Sequence, residues 1–134
     1  MIDAFVHLLD SPQKIIVEQA IWGLGNIAGD GPKLRDFVIE AGAVDPIAEL
    51  CELAQPGTSF LRNASWALSN MCRSKPAPDF NRIKRVIPSL AKVLQENNNT
   101  EIIGDVCWAI SYITDMGKES HMGVVSCNLL PRII

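Results

Sequence analysis

The chain has 134 residues, of which 48% are apolar and 20% charged, and it carries a net charge of −3 at pH 7. This size and composition predict one ordinary folded core, and the negative charge argues against nucleic acid as a direct partner, since no broad cationic face is available for a phosphate backbone. No apolar run approaches the roughly 20 residues of a membrane span and no signal peptide is recognised, so we expect no membrane association.

In chain order, the sequence predicts a series of short helices separated by turns. Apolar residues recur at three- and four-residue steps, for example at Ile21, Leu24 and Ile27, and no strand-like alternation competes with this pattern. Clusters of Gly, Pro and Asn predict turns at residues 10–12, 29–32, 55–58, 75–78, 97–99 and 116–117.

The helices repeat along the chain. The only tryptophans are Trp22, Trp66 and Trp108. They lie in related segments and are separated by 44 and 42 residues. A second marker agrees, because Pro46, Pro88 and Pro131 are separated by 42 and 43 residues. Proline is tolerated in the first turn of a helix, so each of these prolines is predicted to begin the middle helix of a repeat.

A period of about 40 to 47 residues with two or three helices is typical of HEAT and armadillo arrays. We therefore predict an all-α solenoid of the HEAT or armadillo type. The resemblance described below implies the armadillo type, an armadillo-repeat right-handed superhelical solenoid with about three repeats of three helices each. Residues 1–134 form a single fragment. It is divided into part of a repeat at 1–30, repeats at 31–74 and 75–116, and the start of a further repeat at 117–134.

Three segments, residues 18–31, 60–73 and 107–115, resemble successive armadillo repeats of importin-α. The likeness covers essentially the whole chain, and a generic armadillo protein such as a β-catenin does not carry Trp and Asn four residues apart on repeat after repeat. The resemblance implies that the chain begins at the second helix of the family's third repeat and runs into the sixth. The family's importin-β-binding segment would then lie outside these residues.

Pairs of residues four apart share one face of a helix, so stacked repeats would align them as parallel rungs. The pairs are Trp22 and Asn26, Trp66 and Asn70, and Trp108 and Tyr112. Indole faces at this spacing form slots for the aliphatic stem of Lys or Arg, with a cation–π attraction of ~0.5 to 2 kcal/mol per contact. The Asn amides can donate to and accept from a peptide backbone. Tyr112 departs from this pattern, which removes one amide from the third rung.

Acidic residues accompany the rungs. Asp30 follows the first, and Glu101 and Asp105 precede the third, where they would meet the charge of a lysine. The resemblance implies that the major site for nuclear localisation signals comprises Trp22, Asn26, Asp30, Asn63, Trp66, Asn70, Glu101, Asp105, Trp108 and Tyr112. It also implies that Asp30 pairs with the most critical lysine of the signal, and that the basic groove residue Arg73 biases the direction of the peptide.

Several of these residues have alternative roles. A lone Trp is more often a core residue, but three in register with polar partners favour an exposed groove, because a buried unpaired Asn costs ~1 to 3 kcal/mol. Asn63 could instead cap a helix turn or bond between repeats, and Glu101 could interact with a helix dipole. The segment Gly23-Leu-Gly25-Asn-Ile-Ala28 matches a dinucleotide fingerprint, but it lies in a helical pattern, so we interpret its small residues as permitting close helix packing.

The remaining reactive side chains predict no catalytic or metal site. The cysteines are Cys51, Cys72, Cys107 and Cys127. They lie far apart and are predicted to be buried free thiols, with no zinc site and no disulfide framework. His7 and His121 have no partner at nucleophile or metal spacing. We therefore expect no cofactor and no enzymatic activity.

The main hypothesis is a nuclear import adaptor that shuttles between cytoplasm and nucleus and binds basic nuclear localisation signals of cargo proteins. The alternative is a generic armadillo or HEAT scaffold for another partner, whose groove would be lined by Lys and Arg instead. Both ends of the chain read as apolar helices without a polar cap, at residues 1–9 and 128–134. We expect self-association through them, because solenoid repeats bury their faces on their neighbours.

Overall fold

The computed structural model describes residues 1–73 and 75–117, and this part of the chain is helical, without strands. The helices are Ile2–Leu8 (α1), Lys14–Gly29 (α2), Pro32–Glu40 (α3), Val44–Leu53 (α4), Ser59–Cys72 (α5), Phe80–Ile83 (α6), Val86–Glu96 (α7) and Thr100–Thr114 (α8). The all-α prediction is confirmed. The third proline marker at Pro131, together with His121, Cys127 and the predicted terminal helix at 128–134, lies outside the described residues.

The helix starts follow from local chemistry. Side-chain oxygens of Thr58, Asp79 and Asn99 accept hydrogen bonds from the first free N–H groups of α5, α6 and α8. Pro46 and Pro88 lie in the first turns of α4 and α7, as predicted, where the missing N–H leaves no helical hydrogen bond unmade.

Two breaks between helices are absent from the predicted turns. The first, at 41–43, contains Gly42, whose φ of 89° is in the left-handed region that favours glycine. The second, at 84–85, is formed by Lys84 and Arg85 and contains neither Gly nor Pro, so its sequence carries no turn signal. The breaks separate α3 from α4 and α6 from α7, and they produce three helices in each of the two segments that follow α2.

The helices pack in two layers. Helices α2, α5 and α8 stack side by side in one layer, and α4 packs against α7 in the other. Within each repeat the layers meet through α1 with α2, α4 with α5, and α7 with α8. The core between them contains fully buried side chains from both layers, such as Leu24, Ile47, Leu68 and Leu90. Burial of each such side chain contributes about 1.5 to 3 kcal/mol, so this core holds the two layers together.

Arg35 connects repeats through a buried guanidinium. The residue is only 2% exposed, although it lies on the short helix α3. It donates hydrogen bonds to the backbone carbonyls of Arg73 and Pro76, the second at 2.7 Å, and to the carboxylate of Asp36 at 2.9 and 3.0 Å. The segment that follows α5 is therefore held against α3.

The described cysteines are free thiols. Cys51 and Cys72 are buried as predicted, whereas Cys107 is partly exposed. Burial raises the pKa of both Cys51 and Cys72 to about 12, so these thiols stay protonated and act as apolar core atoms. Among residues 1–73 and 75–117, no group of His, Cys, Asp and Glu is arranged to hold a metal ion, and no helix is both long and apolar enough to cross a membrane.

Candidate functional site

An open cleft with a volume of about 470 Å³ crosses the layer formed by α2, α5 and α8. Its lining residues are Trp22, Arg62, Asn63, Trp66, Thr100, Glu101, Gly104, Asp105 and Trp108. We call it the Trp cleft. It brings all three tryptophans together with both acids predicted for the third rung. The sequence prediction missed Arg62, Thr100 and Gly104. Arg62 precedes Trp66 by four residues, so the same helical spacing could have identified it.

The three tryptophans are not equivalent. Trp22 and Trp108 are 52% and 61% exposed, which is unusual for so large an apolar surface and leaves their rings open to a ligand. The ring of Trp108 stacks on that of Tyr112, with centroids 5.9 Å apart and an angle of 27° between the ring planes. Trp66 is only partly exposed, because part of its ring packs on the neighbouring helix α2. The middle rung thus serves both the groove and the core.

Gly25 makes room for Trp66. A Cβ at position 25 would lie 2.5 Å from Cζ3 of Trp66 and 3.1 Å from the Cβ of Ala67. A Cβ at Gly29 would lie 2.8 Å from Nδ2 of Asn70, and one at Gly23 would lie 3.1 Å from the ring of Phe5. The glycines that resemble a dinucleotide fingerprint are therefore packing residues inside a helix, as interpreted from the sequence.

Replacing Gly25 by Ala should lower the free energy of unfolding by about 1 to 3 kcal/mol and move the Trp66 ring, because the core at this point has no space for a methyl group. Gly104→Ala is the matched control. Gly104 also lies within a helix of this layer, but a Cβ there would contact nothing within 4 Å. Its replacement should raise the unfolding free energy by roughly 0.5 to 1 kcal/mol. Urea unfolding of both variants measures the difference, and equal shifts would contradict the close packing.

Two of the predicted amides bond between repeats. Nδ2 of Asn63 donates to Oε1 of Glu18 on α2 at 2.9 Å, which is the inter-repeat bond considered for this residue from its sequence. Nδ2 of Asn70 donates to the backbone carbonyl of Gly25 at 3.0 Å. Asn26 is exposed and forms no side-chain hydrogen bond with a described residue. Of the two Asn rungs, only the first therefore has a wholly uncommitted amide.

The acidic side of the Trp cleft contains two carboxylates, one in an ion pair and one without an ion-pair partner among the described residues. Glu101 lies in the first turn of α8, and its Oε2 is 3.1 Å from Nη1 of Arg62. Asp105 is partly buried and forms no ion pair with a described residue. Burial raises the pKa of Asp105, and the nearby charge of Glu101 raises it further. A cation beside Asp105 would lower this pKa again, because an opposite charge favours the ionised acid.

The other predicted residues lie beyond the Trp cleft. Asn26, Asn70 and Tyr112 are one helical turn further along their helices than the tryptophans. Asp30 is the exposed C-cap residue of α2. The C-cap of α5 is Arg73, which lines a separate cavity of about 160 Å³ with Arg35 and Lys75. The predicted site is therefore a cleft of six residues with five more along the same three helices, and not one compact pocket.

The helices stack in two layers, and an aromatic and acidic cleft crosses one layer. This arrangement defines the class of helical solenoids built from armadillo-type repeats. The chain belongs to the armadillo/β-catenin-like repeat family, whose profile matches residues 1–29 and 31–73. Armadillo-repeat proteins are non-enzymatic scaffolds, and membership of this family agrees with the prediction of no enzymatic activity.

The resemblance to importin-α is confirmed. The chain is 41% identical to importin subunit alpha-1b of Oryza sativa subsp. japonica and 40% identical to importin subunit alpha-2 of Arabidopsis thaliana, over 97% of its own length in both cases. It covers 24% of each of these proteins, so it spans about a quarter of the relatives that it matches.

Solved structures show the same fold. A designed armadillo repeat protein in complex with the peptide (KR)4 superposes with a TM-score of 0.84 at 24% identity, over 98% of this chain and 54% of that one. A second designed armadillo repeat protein superposes with a TM-score of 0.84 at 23% identity, over 100% of this chain and 56% of that one. The predicted fold class is confirmed by both.

Proposed function

We propose that this chain is part of a nuclear import adaptor of the importin-α type and binds extended basic peptides, the nuclear localisation signals of cargo proteins, in the Trp cleft. One observation carries the proposal. The partly buried carboxylate of Asp105 has no ion-pair partner among the described residues and shares a cleft with the exposed rings of Trp22 and Trp108. A side chain with an apolar stem and a cationic end satisfies both features.

Lysine and arginine have this form. The methylene groups of the side chain would lie against an indole face, with the cationic group near the ring and the carboxylates. The cation would lower the raised pKa of Asp105, so binding favours the ionised acid. Protonation of Asp105 at low pH removes the negative charge that attracts the ligand, so affinity and pH change in the same direction. Affinity for a basic peptide should therefore fall as the pH is lowered through the pKa of Asp105.

Asn amides would hold the peptide through its backbone, so this part of the binding would not depend on the peptide's sequence. Asn26 is uncommitted, and the side-chain oxygen of Asn70 remains open although its nitrogen bonds to Gly25. Asp30, at the end of the first rung, would pair with a further lysine, and Arg73 would repel a basic residue at that end and so bias the peptide's direction. In the third rung the ring of Tyr112 replaces the amide.

The relatives support a role in transport, since they are importin-α subunits. The structure superposed at 24% identity supports basic peptides as ligands, because that designed protein is in complex with (KR)4. By similarity to the importin-α subunits, the protein would shuttle between cytoplasm and nucleus and would bind importin-β. Self-association stays a prediction, and residues 128–134, which were predicted to form its C-terminal helix, lie outside the described residues.

Calorimetric titration with a Lys-rich peptide of about ten residues tests the proposal. We expect saturable binding of one peptide, and a copy with its central lysine replaced by alanine should bind about tenfold more weakly or worse, since it loses a charge-assisted contact. An acidic peptide of equal length is the control. Binding of the acidic peptide without binding of the basic one would contradict the proposal and favour a generic armadillo scaffold.

A further inference from the structure

Arg62 is the single basic side chain among the described residues that line the Trp cleft. It lies on α5, four residues before Trp66, and therefore shares the face of the helix that carries the groove. Its Nη1 reaches across to α8 and lies 3.1 Å from Oε2 of Glu101. Glu101 is one of the two acids on which the proposed recognition of a cation depends.

We propose that Arg62 is an intramolecular competitor of the cationic ligand: it occupies the carboxylate of Glu101 that a lysine or arginine of the peptide would otherwise take. This inference rests on the proposed function. It makes Arg62 a residue that limits affinity and sets which of the two acids the ligand reaches first.

The two acids differ in availability. Asp105 has no ion-pair partner among the described residues, whereas Glu101 is already paired. The first cationic side chain of a ligand can therefore approach Asp105 unopposed, but a second one must displace Arg62 from Glu101. Displacement is feasible, because both members of the pair are exposed, at 47% and 67% of their side-chain surfaces, and exposed ion pairs are weak.

The net charge of the cleft also supports a competing role for Arg62. Arg62 offsets one of the two acidic charges, so the described residues of the lining carry a net charge of −1 when both acids are ionised. Removing the guanidinium would double that charge and also free a carboxylate. Both effects should strengthen the binding of a basic peptide, and both should weaken in high salt, because surface charges are screened over about 8 to 10 Å at physiological ionic strength.

Arg62→Gln tests the inference in titrations with the same Lys-rich peptide. We expect its affinity to rise by roughly three- to tenfold at low ionic strength, and the gain to shrink as salt is added. The matched control is Arg82→Gln. It removes the same charge from an exposed site on α6, which lines a different groove with Glu40 and Asp45, and it should leave the affinity nearly unchanged.

A second background separates competition from simple repulsion. In Glu101→Gln, Arg62 has no carboxylate to occupy, so Arg62→Gln should then give a clearly smaller gain than in the native chain. An equal gain in both backgrounds, or an unchanged or lower affinity of Arg62→Gln, would overturn the inference. Absence of any binding by the native chain would instead contradict the proposed function. Unfolding curves of Arg62→Gln should match those of the native chain, since the lost pair is exposed.

Discussion

Asp30→Lys is expected to abolish most binding of a Lys-rich peptide while leaving the helix content unchanged. Asp30 is exposed at the end of the first rung, and its side chain forms no hydrogen bond or ion pair with a described residue, so its charge is available to a ligand. Reversing that charge removes the partner of a lysine and adds repulsion, with an expected loss of about 2 to 5 kcal/mol in binding free energy. Calorimetry with the native peptide measures the loss directly.

The fold should tolerate this change. Position 30 is the C-cap of α2, and a cation near the C-terminus of a helix interacts favourably with the helix dipole. Glu96→Lys is the matched control, because Glu96 is the exposed last residue of α7 in the other layer, away from the groove. It reverses the same charge at a similar place in a helix. If both variants lost affinity equally, net charge and not Asp30 would be responsible.

Arg35→Ala is expected to lower the free energy of unfolding by about 2 to 4 kcal/mol, because it removes two hydrogen bonds from a charged guanidinium to backbone carbonyls, and a hydrogen bond to a charged group contributes ~1.5 to 3 kcal/mol. The carbonyls belong to Arg73 and Pro76, and the carboxylate of Asp36 loses its partner as well. Urea unfolding followed by circular dichroism measures the change. Lys33→Ala on the same helix is the control, since Lys33 is exposed and should be replaced with little effect. Equal stability of the two variants would show that Arg35 is not an anchor.

The predicted groove positions depend on the geometry of single helices, which a sequence shows directly. The spacing from Trp22 to Asn26 and from Trp108 to Tyr112 already determines which side chains share a face. The exposure of both tryptophans agrees with the groove interpretation, and so does the presence of Glu101 and Asp105 in the same cleft. Period and fold class likewise follow from residues that recur at fixed distances.

Contacts between helices could not be predicted in the same way. Whether Asn63 faces a ligand or Glu18 depends on how closely α5 approaches α2, and that distance follows from Gly25 and the Trp66 ring together. Arg35 reads as an ordinary surface residue between Leu34 and Asp36, because its acceptors lie 38 and 41 positions away in the chain. The same limit applies to Arg62, whose partner is 39 positions away.

The hydrogen bonds of Asn63 and Asn70 give the solenoid a mechanical property. These two bonds join α5 to α2, and so join adjacent repeats on the face that carries the groove, at Glu18 and Gly25. They therefore resist separation of α2 from α5 on this face and raise the bending stiffness of the solenoid between these two helices. A peptide lying across α2, α5 and α8 would add further contacts between repeats on the same side, so the peptide-bound solenoid should bend less than the free one.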